Sequence, residues 1–347
     1  MLLIVAHHFA VHGHFQFATD SITLNELWEQ FLASGGKIGV NIFVMISGYF
    51  LCQSKGFSLN KILRLWLSVL FYSLLFLGLF TVLGGVHVSP KQFISNFLPI
   101  TSSRYWFIST YFTLYLFHPF INIFMQHLSR GQYKKLLMLL TFLWCLIPTF
   151  LKATFQSNPL WWFVYLYLLA GYIRTYHTTP QKPTKYLILA VLCYLLTYVS
   201  VPLLDLVGFR FPIASKHALF FFSMQRLPAL LISVLLLLGF KNMRLHYNPF
   251  INLTAMTTLG IYLIHDNMFV RPFLWQTVFK NASYADSAWF IPYSIGVILI
   301  VFWGSALIEL VRITCLEKAY KRPLSLLASY LENLANKFFY SKWFNYL

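Results

Sequence analysis

Four histidines crowd the start of the chain, at His7, His8, His12 and His14, in a run that is otherwise largely apolar from Leu2 onward. Imidazole titrates near neutrality, so a histidine held at membrane depth can take a proton from an attacking hydroxyl as a general base. On a helix His8 and His12 share one face, and His7 points about 100° away. The His8/His12 pair also has the spacing of two metal ligands. A zinc site takes at least three protein ligands, however, and no Cys, Asp or Glu precedes Asp20. The expectation is catalytic histidines at His8 and His7, no metal, and interfacial roles for His12 and His14.

Polar side chains inside other apolar runs are costly unless they face a partner or a cavity. Asn41 and Ser47 follow Gly35, Gly36 and Gly39, and they suit either a polar path or the close helix approach that the glycines permit. Lys61 and Arg64 are three residues apart and project from one helix face. They fit positive anchoring at a membrane surface, or contact with the phosphates of an acyl-CoA or nucleotide donor. Tyr111, His118 and Asn122 share a run with Pro119, which frees a carbonyl and shapes a cavity. Arg226 lies deep in a further run, too far from its ends to reach water easily, and is expected to face a water-filled or anionic pocket. His265 adjoins Asp266 and is a candidate oriented imidazole, whereas Asp266 or Asn267 suits helix capping.

The elements that must position these residues are membrane helices. The 347 residues are 59% hydrophobic, 19% aromatic and 10% charged, with a mean hydropathy of +0.66, unlike any ordinary soluble chain. Ten apolar runs approach the length that spans a bilayer, at about 1–18, 38–54, 62–84, 105–126, 136–151, 160–176, 186–207, 217–240, 249–266 and 288–312. They lack strand alternation, so the fold class is all-α, a polytopic membrane protein. With the N-terminus inside, 17 of the 26 Lys and Arg collect on the cytoplasmic loops and 8 outside, which places both termini in the cytoplasm. That distribution assigns the net charge of +17 to topology and sets nucleic acid aside. Cys52, Cys145, Cys193 and Cys315 are scattered, without a C-x-x-C pair, and point to neither disulfides nor a thiolate metal site. Residues 1–315 form the transmembrane domain. Residues 316–347 form a cytoplasmic amphipathic tail with Leu324, Leu327, Tyr330, Leu331, Leu334 and Phe338 at helical spacing.

Several of these features together resemble acyltransferase family 3, the bacterial integral-membrane acyltransferases that O-acylate surface polysaccharides. They are His7-His8, the stretch from Gly36 to Ser47-Gly48-Tyr49, the cations Lys61 and Arg64, Tyr105-Trp106-Phe107 with Pro119-Phe120 and Asn122, and Leu259-Gly260 with Tyr262-Leu263 and His265. The resemblance implies that a cytoplasmic acyl-CoA, by default acetyl-CoA, donates its acyl group to a hydroxyl of a surface polysaccharide or lipid-linked glycan. It also implies a multi-pass protein of the bacterial plasma membrane with a catalytic first-span histidine. The family histidine follows a cation with ten residues between them. That spacing matches His8 if the cation stood four residues before Met1, so a few upstream residues are expected to be missing. In the family's Arg-x-x-Arg donor motif Lys61 replaces the first arginine and Arg64 matches the second. Lysine keeps the charge and loses the bidentate fork. The competing class is a transporter or flippase of a glycan or small anion, which predicts a repeat between halves that the sequence lacks. A metal or haem carrier rests on the histidine cluster alone.

Overall fold

The computed structural model describes residues 1–17, 21–54, 56, 58–151, 154–244 and 246–342. Asp20, Lys55 and Lys152, expected in loops, and every side chain from residue 335 onward, Phe338 of the tail included, lie outside them. The described residues are helical or loop, with no strand. The helices are α1 (Leu2–His12), α2 (Leu24–Leu51), α3 (Leu59–Val82), α4 (Pro90–Phe97), α5 (Trp106–Gln126), α6 (Arg130–Thr141), α7 (Ile147–Leu151), α8 (Pro159–Tyr176), α9 (Pro183–Gly208), α10 (Leu227–Asn242), α11 (Pro249–His265), α12 (Val270–Pro272), α13 (Phe290–Val311) and α14 (Lys318–Lys342). Seven helical stretches among the described residues are long and apolar enough to cross a membrane. The protein is therefore an all-helical polytopic membrane protein. Each of the ten apolar runs contains one or more of these helices, although α1, α8 and α11 are shorter or less apolar than that measure requires.

Three elements differ from the sequence expectation, each for a local reason. The second span begins at Leu24 instead of residue 38, because the Thr23 side chain caps the Glu26 amide and the acidic first turn favours a helix start. The charged turns at that end are joined to α9 by Gln30, whose amide donates to Asp205 Oδ2 at 2.9 Å. The fifth run is continuous from Arg130, but it passes through a π-helical stretch at Phe142–Leu146, just before Pro148. Proline cannot donate to the preceding turn, which accounts for the wider register there. The eighth run is not one helix: short 3-10 turns precede α10, which starts with Pro228 in its first turn. Arg226 is thus an N-cap and not a mid-helix residue.

Two glycines bring the central helices together. A Cβ on Gly36 would lie 2.2 Å from His7 Cγ, and His7 Nδ1 meets the Ala33 carbonyl at 2.6 Å. Missing side-chain volume on α2 therefore seats α1. A Cβ on Gly260 would lie 2.3 Å from Glu309 Cδ, so this glycine makes room on α11 for a buried carboxylate of α13. On its other side α1 packs Phe9 against Trp275 and Phe290, with ring centroids 5.9 and 6.3 Å away. Gly36→Val and Gly260→Val are each expected to cost about 1–3 kcal/mol through overpacking. Gly78→Ala meets open space and is expected to be neutral or mildly stabilising. Thermal unfolding of the purified variants checks both, and an unshifted Gly36→Val would refute the seating role.

Candidate active site

The end of α11 brings His265 to His8. His265 is fully buried, and its Nδ1 meets the Ile261 carbonyl at 2.5 Å. A carbonyl only accepts, so Nδ1 carries the proton and Nε2 of the neutral ring is an acceptor. That nitrogen faces His8 Nδ1 at 2.9 Å, so His8 Nδ1 donates. The His8 Nε2 lone pair is then left without a protein donor among the described residues. Asp266, the C-cap of α11 and also buried, places Oδ1 3.6 Å from His8 Nδ1. The same oxygen accepts from Arg271 at 2.6 Å, which fixes the carboxylate beside the imidazole pair. Tyr262, one turn earlier on α11, is buried with its ring centroid 6.4 Å from that of His8. The arrangement is an oriented imidazole with one free nitrogen, suited to accepting a proton from a hydroxyl.

His7 and His8 diverge as their helical spacing requires. His7 is committed to α2 backbone, whereas His8 faces α11. The His12 ring, one turn away, is tilted against that of His8 with centroids 5.2 Å apart. Tyr262, Asp266 and Arg271 carry the site as much as His265 does. The sequence signal for them was the spacing Tyr262, His265, Asp266 along one side of α11, followed by a cation within a turn or so.

The other expected polar residues lie elsewhere. Asn41 is fully buried, its amide donating to the Met224 carbonyl and its oxygen accepting from Trp162 Nε1, both at 2.9 Å. It ties α2 to α8 and to the segment before α10. Ser47 bonds back to the Phe43 carbonyl within its own helix. His118 joins the Ser54 hydroxyl at 2.9 Å, while Asn122 donates to the carbonyls of Leu51 and Ser54 and accepts from Tyr167. Together they close the C-terminal end of α2, whose last carbonyls have no helical partners. Arg226 donates to the Pro148 carbonyl and lies 4.1 Å over the Phe220 ring.

Two cavities follow α11 toward this site. The outer one, of about 320 Å³, is lined by Lys61, Arg64, Ser68, Met256, Glu309, Arg312 and Glu317, with Leu65 and Leu259. The inner one, of about 140 Å³, shares Leu65 and Leu259 and continues past Phe107 and Tyr111 to Tyr262. Lys61 is exposed, while Arg64 pairs with Glu317. Glu309 is enclosed, accepting from Tyr72 at 2.6 Å and from Arg312 at 2.7 and 2.8 Å.

The family model described as an acyltransferase domain, that of acyltransferase family 3, matches residues 1–310. The chain belongs to this family. No curated protein and no solved structure matches it.

A metal is the rival use of the histidines, since ligand atoms of His8, His12 and Asp266 lie within 4.8 Å of one another. Asp266 supplies the acidic partner that the sequence around the histidines lacks. The electrostatics oppose a cation here, because Arg271 already holds the carboxylate oxygen and would repel a divalent ion. Elemental analysis of purified protein is expected to find no stoichiometric metal. Zinc retained by the wild type and lost in His12→Ala would overturn this.

Proposed function

We propose that the protein moves an acyl group, acetyl by default, from acyl-CoA on the cytoplasmic side of a bacterial plasma membrane to a hydroxyl of an extracytoplasmic glycan. His8 serves as the general base. The observation that carries this reading is the run of cavities along α11, from the cations Lys61 and Arg64, through the apolar passage at Leu65, Leu259 and Tyr111, to Tyr262 beside His8. A donor with a phosphorylated head and a long thioester arm matches that order of surfaces, polar at the mouth and apolar within. Met256 and His265 are nine residues apart on α11, so the rail between the outer cavity and the imidazoles is about 14 Å long. Arginine and lysine at the mouth suit phosphate oxygens.

In the reaction, His8 Nε2 takes the proton of the acceptor hydroxyl as its oxygen attacks the thioester carbonyl. The carbon–sulfur bond then breaks, and the imidazolium returns the proton to the departing thiolate. His265 holds the His8 ring in the tautomer that leaves Nε2 basic, and Asp266 with Arg271 steadies the pair. Direct transfer needs no acyl-enzyme, because donor and acceptor meet at one nitrogen.

His8→Ala is expected to lower glycan acylation by about 10² to 10⁴-fold. His7→Ala at equal membrane level is expected to lose mainly stability. The readout is mass and NMR analysis of surface polysaccharide from complemented deletion strains. Full acylation with His8→Ala would remove the mechanism, and loss with His7→Ala alone would move the role to His7. Lys61→Ala/Arg64→Ala is expected to weaken CoA binding to folded protein, and unchanged affinity would exclude this mouth as the donor site.

A further inference from the structure

The residues that follow the matched domain contribute a carboxylate, Glu317, to the cationic mouth. A π-helical stretch, Arg312–Glu317, continues α13 and leads into α14, which packs along α3. Glu317 Oε1 pairs with Arg64, and Glu317 Oε2 accepts from Arg312 at 3.2 Å. One turn or so further along α14, the Tyr320 hydroxyl meets Arg312 at 2.7 Å. Near the α3 N-terminus, Glu332 Oε1 accepts from the Leu59 amide at 3.1 Å, so α14 is anchored to the helix that carries Lys61 and Arg64.

The two ends of the Arg64 pair are unequal. The Arg64 side chain is 41% exposed and lines the outer cavity, whereas Glu317 is 10% exposed. If Arg64 turns to another anion, Glu317 keeps Arg312 as its partner, so the exchange strands no buried charge. Arg312 in turn keeps two bonds to Glu309.

We infer that Glu317 sets donor affinity by occupying Arg64 in place of a donor phosphate, and that it is displaced from Arg64 when the donor binds. The inference rests on the acyl-CoA reading of the mouth. Glu317 is an affinity-setting residue on this account: a donor phosphate reaches Arg64 only by displacing a carboxylate already in place.

The test is titration calorimetry of CoA into the full-length protein in detergent. Wild type is compared with Glu317→Gln, Arg64→Ala and the double variant, with thermal unfolding as a check on folding. Glu317→Gln is isosteric and leaves Arg312 its Glu309 partner. It is expected to bind CoA about fivefold more tightly, the upper range for a partly exposed ion pair. The same change in the Arg64→Ala background is expected to have no effect. Should Glu317→Gln fold poorly, Glu317→Asp draws the carboxylate back by one methylene and loosens the Arg64 pair, while Arg312 keeps its Glu309 partner. Tighter binding is again expected, by a smaller factor. Unchanged or weaker binding in the Glu317 variants, with Arg64→Ala still weakening CoA, overturns the role of Glu317 and spares the donor reading. Unchanged CoA affinity in Arg64→Ala removes the donor reading and this inference with it.

Discussion

The hydrogen bond from His8 to His265, 2.9 Å long, is the contact through which the centre of the molecule is organised. It joins the first helix to the end of α11, elements separated by most of the chain. Its direction is set by the Ile261 carbonyl, which fixes the proton on His265 Nδ1. A helix of eleven residues such as α1 is marginal alone. It holds its place here because α2 gives up a side chain at Gly36, α13 and its neighbours offer aromatic rings to Phe9, and α11 binds His8. In the proposed reaction, the contacts that orient the catalytic imidazole are thus the same ones that dock the helix. An imidazole that is also a packing element loses little further freedom when it reacts.

Much of the fold was legible in the sequence, because lipid leaves the backbone no alternative to helices and each long apolar run had to become one. The boundaries were legible only where a cap or proline marks them. Pro159, Pro183 and Pro249 stand in the first turns of α8, α9 and α10's successor α11. The start of α2 was hidden because its first four turns carry Glu26, Glu29 and Lys37, which read as a polar loop until their packing is known.

The candidate site was legible in part. His8 and His265 were found as titratable groups inside apolar runs, but nothing local in the sequence says that they touch. Asp266 read as a helix cap, and it is one, with a carboxylate that also faces His8. His118 and Asn122 sent the same signal, buried polarity next to proline, and spend it on closing the end of α2. Burial of a polar group calls for a partner. Whether that partner is protein or substrate depends on which nitrogen or oxygen remains open after the protein bonds are counted, and His8 Nε2 passes that count where Asn41 does not.

The two ends of the α11 path face different physical demands in the proposed reaction. At His8 the protein must hold a reacting atom in one geometry, and the bond to His265, backed by the Asp266–Arg271 ion pair, does so. At the mouth it must bind the donor and afterwards release free CoA, which carries the same phosphates. A pair of unopposed cations would hold substrate and product alike, and such uniform binding lowers KM without raising kcat. A resident carboxylate on Arg64 lifts both bound states together and so favours release as much as it taxes capture. The lysine at position 61 acts in the same direction, since it attracts phosphate as a point charge and lacks the fork that would fix it. An entrance tuned this way trades affinity for turnover, which is of use where the donor is plentiful on one side of the membrane and the acceptor must come from the other.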